Sequence, residues 1–274
     1  MPGRDLKTLP KAELHLHLLG AMREATLSEL AAEAGLDRHP YYQLGKPHGV
    51  MELVLAEGQA AGARHGVGFG VTIAASRHQG PDHAEELARF AAGYAGRGVY
   101  ALGLTGDELA FPPEPFARAF AIAREAGLTA APHAGELAGP DSVRAAVDGL
   151  GATRIAHGIR AVEDPRLLDE LAGRKVTLDV CLTSNKALGV VPDAARHPLP
   201  ALLAAGVGCS LGADDPLMFG AGLLDEYETA RRELGLSDDQ LAARARTSVQ
   251  TSGAPASVIA PATAGIDTWL SSRA

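Results

Sequence analysis

The sequence predicts an α/β protein, a parallel sheet closed as a TIM-type (β/α) barrel with seven recognisable strands. Short β-rich apolar runs alternate with longer Ala/Leu/Glu/Arg stretches of helical period, which is the pattern of strand–helix units with parallel strands. Chemically reactive side chains follow strand after strand, as they do at the C-terminal ends of barrel strands, whereas an open sheet would gather them at one switch point. The chain has 274 residues, which suits a single barrel-sized domain over residues 1–274.

Each predicted strand is a short apolar run, and these runs cover Ala12–Leu18, Gly68–Ser76, Gly98–Gly106, Leu128–His133, Arg154–His157, Lys175–Leu182 and Gly206–Ala213. A complete barrel needs eight strands, so the strand count by itself leaves an open doubly wound sheet as the alternative. The distribution of the reactive residues decides in favour of the barrel.

The predicted helices are stretches of helical period between the strands: Thr26–Ala34, Asp82–Ala95, Pro115–Ala126, Asp141–Leu150, Asp164–Ala172, Leu199–Ala205, Ala221–Leu234 and Asp238–Ser248. Pro115 and Pro165 stand near helix starts, where a missing N–H costs little. Gly127, Gly173 and Gly206 follow helices, as C-terminal caps do. The Trp269 side chain is expected to anchor a C-terminal helix to the barrel.

The composition excludes several classes of protein. Lys and Arg total 25 against 33 Asp and Glu, a net charge of −8, and the basic residues are scattered, so a nucleic-acid partner is disfavoured. The two cysteines cannot form a disulfide scaffold and no CxxC pair exists. No apolar stretch is long enough for a membrane span, and Met1–Thr8 lacks the apolar core of a signal peptide. We expect a reduced, soluble, cytoplasmic protein.

Two histidines lie two positions apart on the first predicted strand. Side chains at i and i+2 share one face of a strand, so His15 and His17 point one way while Leu14 and Leu16 point the other. Two imidazoles at the mouth of a strand can hold one metal ion. For this motif by itself, a chance pair of core or surface histidines is an equally weighted alternative.

The remaining reactive residues also stand at predicted strand ends. His133 ends one strand, and the small Ala-Gly pair after it lets the chain turn so that Glu136 lies beside it. His157 ends the next strand, and Asp214 and Asp215 end the last. A single strand-end histidine or Asp-Asp-Pro sequence is often only packing or a helix start. Their joint occurrence at strand C-termini indicates a catalytic site.

These groups suit metal-assisted hydrolysis. Three imidazoles and a carboxylate are ligands suited to zinc, with water completing the shell. Bound zinc lowers the pKa of water to roughly 7 and so provides hydroxide at neutral pH. A second carboxyl group must then protonate the substrate, and a buried Glu136 can hold a proton at pH 7 for that purpose.

The ordered motifs HxH, GDE, HAGE, RIxHG, Cx[ST]SN and DDP resemble those of the adenosine deaminase family, within the amidohydrolase superfamily. They stand at Pro10–His17, Gly106–Glu108, His133–Glu136, Arg154–Gly158, Cys181–Asn185 and Asp214–Pro216. The resemblance implies a zinc hydrolase of purine metabolism with one Zn²⁺ per chain. It would remove ammonia from adenosine or a related 6-aminopurine nucleoside and leave the 6-oxo purine.

The resemblance also implies roles for individual residues. The zinc ligands would be His15, His17, His133 and Asp214. Glu136 would give a proton to the purine ring nitrogen, and His157 would orient the metal-bound water and help deprotonate it. Asp215 would hold the water or a purine nitrogen. The substrate pocket would include the Gly106 backbone N–H, His17, Asp215 and Leu19.

Leu19 departs from the family pattern, which usually has a carboxylate there that binds the ribose 5′-hydroxyl. A buried hydroxyl without a partner costs roughly 1–3 kcal/mol, so adenosine would be used about tenfold to a hundredfold less well. An apolar Leu19 would tolerate a 5′-deoxy or apolar 5′ substituent, or a substrate without the sugar.

The chain is also shortened between His17 and His133. Gln43–Ser76 resembles the family's second crossover helix and third strand, so the missing part is the end of the first crossover and the second strand, near Asp37–Tyr42. The pocket would be more open, or roofed by another subunit of a homo-oligomer. The alternatives are a deaminase of adenine or of a 5′-modified or N6-substituted nucleoside, and a non-catalytic purine- or zinc-binding relative. Retention of every expected ligand argues against the last.

Overall fold

The computed structural model describes residues 3–23, 25–26, 29 and 47–272. Its strands are short, parallel and mostly buried: β1 (Val71–Ser76), β2 (Val99–Thr105), β3 (Thr129–Ala130), β4 (His133–Ala134), β5 (Arg154–His157), β6 (Thr177–Val180) and β7 (Gly208–Leu211). They pair in the orders β1-β2-β3 and β4-β5-β6-β7. This confirms the α/β class and six of the predicted strands.

The two ladders are joined at Pro132. The Ala131 N–H donates to Leu102 O of β2 (2.9 Å), and Pro132 O accepts from Ala156 N of β5 (3.0 Å). Because proline has no N–H, the ladder to β2 stops there and the chain changes partners. β3 and β4 are therefore two halves of the strand predicted over Leu128–His133.

The first predicted strand, Ala12–Leu18, is extended but makes only one bridge, from Leu16 to Asp214 in parallel. His17 N donates to Asp214 O (2.9 Å) and Asp214 N to His15 O (2.8 Å). The expected full strand is absent here because the Glu13 carboxylate accepts the N–H groups of His15 and Ala213, which a longer ladder would use. The segment still lies beside the end of β7.

Helices connect the strands: α1 (Pro47–His65), α2 (Gly80–Ala92), α3 (Ala117–Glu125), α4 (Pro140–Gly149), α5 (Pro165–Gly173), α6 (Leu182–Ala187), α7 (Leu199–Ala204), α8 (Pro216–Phe219), α9 (Leu223–Leu234), α10 (Asp238–Gln250) and α11 (Ala256–Ser271). The predicted helix Thr26–Ala34 and the shortened region Asp37–Tyr42 lie outside the described residues, apart from Thr26 and Glu29. Gly173, expected to follow α5 as its C-terminal cap, is instead the last residue of that helix. The left-handed backbone conformation typical of such a cap occurs at Lys175 (φ 56°).

Small side chains let the helices approach closely. Ala84, Ala88 and Ala91 form one buried face of α2, at the spacing of an amphipathic helix. At the other end of the chain, the buried Trp269 donates its indole N–H to Asp5 O (2.9 Å), so this bond ties α11 to the N-terminal segment, where an anchor to the barrel was expected. Among the described helices, none is long and apolar enough to cross a membrane.

Candidate active site

Four imidazoles meet at the C-terminal ends of the strands. The rings of His15, His17, His133 and His157 lie 4.6–5.6 Å apart between neighbouring centroids. They come from the N-terminal segment, β4 and β5, and Asp214 joins them from the loop that follows β7. The structure therefore brings together all four ligands that the sequence predicts.

The donor atoms of these four residues converge on one point. His15 Nε2 lies 3.1 Å from His133 Nε2 and 3.6 Å from Asp214 Oδ1. His17 Nε2 lies 3.2 Å from the same Asp214 oxygen. Three imidazole nitrogens and one carboxylate oxygen are donors of the kind that zinc prefers. The residues present therefore fit a zinc ion.

Surrounding groups hold two of these ligands in the required orientation. His15 Nδ1 lies 3.3 Å from Asp179 O. The same nitrogen lies 3.2 Å from Cys181 Sγ. A ring proton on Nδ1 would bond the carbonyl oxygen, which can only accept, and would leave the Nε2 lone pair for a metal. Ser184 Oγ donates to Asp214 Oδ2 (2.6 Å), which leaves Asp214 Oδ1 for the histidines.

The electrostatics favour the protonation states that a metal needs at three of the four residues; at His17, burial would lower the pKa, but the hydrogen bond to Asp214 and the nearby carboxylates raise it. Burial lowers the pKa of His15, and burial together with the neighbouring imidazoles lowers the pKa of His133 well below its usual value. Burial would raise the pKa of Asp214, but its hydrogen bond to His17 and the adjacent histidines lower it far more. Neutral imidazoles beside an ionised carboxylate are the forms that bind a metal.

Glu136 lies beside this cluster, as the turn after His133 predicts. Gly135 makes that turn with φ 68°, and a Cβ atom there would collide with Val143, so only glycine fits. Glu136 Oε1 lies 3.4 Å from His157 Nε2. Burial, and then the charges of Asp214 and Glu108, raise the pKa of Glu136 to about 8. At neutral pH its carboxyl group carries a proton that it can donate.

A buried carboxylate that the sequence analysis left without a role fixes the Glu136 segment. Glu108 Oε2 accepts the N–H groups of Glu136, Leu137 and Ala138 at 2.9–3.1 Å. Glu108 Oε1 accepts from Gly135 N and from the Ser142 hydroxyl. Its only signal in the sequence was its place in the GDE motif.

A buried guanidinium holds the other side of the same segment. Arg77 follows β1 directly and is fully buried. Its Nη2 donates to His133 O (2.7 Å) and its Nη1 to Phe111 O (2.5 Å). The backbone around His133 and Glu136 is therefore held through its carbonyl by Arg77 and through its N–H groups by Glu108.

The turn after the HxH motif packs on Asp215. A Cβ atom at Gly20 would overlap the Asp215 carboxyl group, and Leu217 N donates to Gly20 O (2.7 Å). Burial raises the pKa of Asp215 to about 6, and the charge of Asp214 adds to this effect while His17 opposes it. The half-buried Leu19 lies in the turn. Gly106, with φ 103°, lies at the end of β2.

Comparison with solved structures places this fold among the TIM-barrel amidohydrolases. An adenine deaminase of Arthrobacter aurescens superposes with a TM-score of 0.79 at 27% identity, covering 96% of this chain and 99% of that one. An amidohydrolase of Burkholderia ambifaria with bound Zn superposes with a TM-score of 0.83 at 22% identity, over 96% and 92% of the chains. At that identity the second likeness shows the fold alone.

The family follows from the sequence comparisons. The family model described as adenosine deaminase matches residues 44–269. A putative adenosine/adenine deaminase of Streptomyces virginiae is 41% identical over 98% of this chain and 98% of its own length. An adenine deaminase of a Chelativorans species is 44% identical over 72% of this chain and 61% of its own. The chain belongs to the adenosine deaminase family, and it is a deaminase, a hydrolase of the amidohydrolase superfamily.

These findings confirm the family, the barrel class and the enzyme class predicted from the motifs. The alignment with the Streptomyces virginiae protein is 334 residues long, more than the 274 residues of this chain. That relative therefore carries residues that this chain lacks, in keeping with a shortened barrel.

Proposed function

We propose that the protein is a zinc-dependent deaminase that converts a 6-aminopurine, namely adenosine or a related nucleoside or free adenine, into the 6-oxo purine and ammonia. The observation that carries this proposal is the convergence of three histidine nitrogens and Asp214 on one point beside the protonated Glu136. That combination supplies both halves of a hydrolytic deamination, an activated water and a proton donor.

Zinc held by His15, His17, His133 and Asp214 would supply a hydroxide nucleophile at neutral pH. Glu136 would give its proton to the ring nitrogen next to the attacked carbon, so that negative charge does not accumulate on the purine. Asp215, whose Oδ1 is buried without a hydrogen-bond partner among the described residues, would hold the attacking water or a purine nitrogen. The Gly106 N–H would bond the opposite side of the ring.

His157 would orient the attacking water. Its Nε2 lies 3.4 Å from Glu136 Oε1 and 3.8 Å from Asp214 Oδ2. It therefore lies between the proposed proton donor and a proposed zinc ligand. Whether His157 can also take a proton depends on which of its ring nitrogens already carries one.

Leu19 favours substrates without a free ribose 5′-hydroxyl. Its side chain cannot accept a hydrogen bond, and it lies in the turn that packs on Asp215. Relatives are named for both kinds of substrate, as adenosine/adenine and adenine deaminases, and one 33% identical relative in Acidothermus cellulolyticus is named aminodeoxyfutalosine deaminase. We therefore expect adenine and 5′-deoxyadenosine to be deaminated better than adenosine.

The deciding experiment measures bound zinc and ammonia release from adenine, adenosine, 5′-deoxyadenosine, 5′-methylthioadenosine and AMP. About one zinc per chain with turnover of at least one of these purines is expected. Asp214→Ala should lose both zinc and turnover, and Asp169→Ala, a change at an exposed aspartate of α5, is the matched control. Zinc binding with no ammonia from any of them, or no zinc binding at all, would overturn the proposal in favour of a non-catalytic relative.

A cytoplasmic location, a single domain over residues 1–274, a small-molecule partner in place of nucleic acid, and a homo-oligomer remain predictions from the sequence.

A further inference from the structure

His157 is connected to a second buried histidine through an asparagine side chain. Asn185 Nδ2 lies 3.1 Å from His157 Nδ1, and Asn185 Oδ1 lies 3.1 Å from His197 Nε2. The exposed fractions of His157, Asn185 and His197 are 1%, 0% and 3%. With no room for solvent, the three side chains must satisfy one another.

At the His197 end of this series of hydrogen bonds, a backbone group determines which atoms donate and which accept. The Leu199 N–H, at the start of α7, donates to His197 Nδ1 (3.0 Å). A backbone N–H can only donate, so His197 Nδ1 holds a lone pair. Burial lowers the pKa of His197 to about 4, so the ring is neutral at pH 7 and its one ring proton is on Nε2.

Each following partner then has one compatible arrangement. The His197 Nε2–H requires an acceptor, so Asn185 turns its carbonyl oxygen to His197 and its NH₂ group to His157. The NH₂ group can only donate, so His157 Nδ1 must accept. A doubly protonated His157 is disfavoured for the same reason, because its Nδ1–H would face a second donor.

We propose that Asn185 and His197 are positioning residues that hold His157 as the neutral tautomer with its proton on Nε2. His157 then presents a hydrogen-bond donor to the site. This agrees with the ionised Asp214 on that side, since Nε2 lies 3.8 Å from Asp214 Oδ2 and a carboxylate can only accept. The consequence for turnover rests on the proposed function: His157 would orient the attacking water by donating to its oxygen, and would not take its proton.

This differs from the role that the family resemblance implies, in which His157 also helps to deprotonate the water. A neutral imidazole can accept a proton only at the nitrogen that carries a lone pair. In the proposed tautomer that nitrogen is Nδ1, which is occupied by Asn185 and faces away from Glu136. A base would need the opposite tautomer.

The tautomer can be measured by NMR without reference to activity. Asn185 is the only asparagine in the chain, so labelling asparagine and histidine with ¹⁵N gives a single asparagine side-chain signal. We expect His157, assigned by its loss in His157→Gln, to show a protonated Nε2 and a bare Nδ1 coupled across the hydrogen bond to the Asn185 amide. The spectra are recorded at pH 7 with and without added zinc. A protonated Nδ1 in both would overturn the proposal, as would a doubly protonated ring.

Asn185→Asp tests the cause, because a carboxylate accepts only and should draw the proton to His157 Nδ1. We expect exchanged ¹⁵N shifts and a loss in kcat of about 10²-fold or more with little change in KM, since a wrong tautomer disables an otherwise intact site. His65→Gln, a change at an exposed histidine, is the control and should leave the His157 shifts as they are. Unchanged His157 shifts in Asn185→Asp would refute the proposal.

A second variant covers the case in which Asn185→Asp does not fold. His197→Asn offers an acceptor to Leu199 N–H but removes the donor to Asn185. We expect His157 to populate both tautomers there, and a single Nε2–H form would refute the role of His197. The wild-type spectrum also separates the two proposals: an Nε2–H tautomer in a protein that deaminates no purine would support this inference and refute the proposed function.

Discussion

Replacing Glu108 with glutamine should lower the free energy of unfolding by about 3 kcal/mol. One Glu108 oxygen accepts three backbone N–H groups and the other accepts Gly135 N and the Ser142 hydroxyl. A glutamine side chain loses the fewest hydrogen bonds if its oxygen accepts the three N–H groups of Glu136, Leu137 and Ala138. Its NH₂ group then faces Ser142, which can rotate to accept, and Gly135 N, which cannot.

The magnitude follows from those contacts. One buried N–H left without an acceptor costs about 1–3 kcal/mol. The three remaining bonds lose their charged acceptor, which weakens each by about 1 kcal/mol. Relief from burying a carboxylate offsets part of the sum. The net expectation is therefore about 3 kcal/mol, with a fall in kcat because Glu136 lies on the loosened segment.

Urea unfolding of the metal-free protein measures this change without a contribution from bound zinc. Glu125→Gln, the same substitution at an exposed position near the end of α3, should stay within about 0.5 kcal/mol of wild type. If Glu108→Gln were as stable as Glu125→Gln, the five hydrogen bonds to Glu108 would not hold the segment, and the reasoning would fail.

Three other outcomes are expected. Glu136→Gln should keep about one zinc per chain and lose about 10²–10⁴-fold in kcat, measured by ammonia release, because only the donated proton is removed. Leu19→Asp should raise kcat/KM for adenosine about tenfold to a hundredfold by restoring an acceptor, and Leu18→Asp, at an exposed neighbour, should not. Burial raises the pKa of Glu226 from 4.5 to about 7, so its ionisation destabilises the fold as pH rises between those values. Urea unfolding at pH 5 and pH 7 measures the resulting fall in the free energy of unfolding, which should be smaller in Glu226→Gln than in wild type. An equal fall in both proteins would contradict this reasoning.

The grouping of the candidate site residues could be predicted from sequence because their signals are local. His133, His157 and Asp214 each follow a short apolar run, and parallel strands bring such ends together whatever the details of packing. The turn that places Glu136 could also be predicted from local sequence, because the Ala-Gly pair before Glu136 favours a sharp turn of the backbone.

The supporting contacts could not be predicted, because they join residues distant in sequence. Glu108 bonds a segment about 30 residues ahead, and His197 reaches His157 only through Asn185. No periodicity encodes which donor faces which acceptor. The length of the first strand, predicted over Ala12–Leu18, was overestimated for a related reason. The Glu13 side chain accepts the N–H groups of His15 and Ala213, which the sequence pattern assigned to the sheet.

The backbone at two site residues is strained. His157 and Asp214 have φ values of 64° and 61°, where a side chain is disfavoured by about 1–2 kcal/mol and glycine is not. Glycine would relieve this strain, but it would leave the buried Asn185 and Ser184 side chains without the partners they have at these positions. The hydrogen bonds of the two side chains therefore keep a strained backbone in the fold.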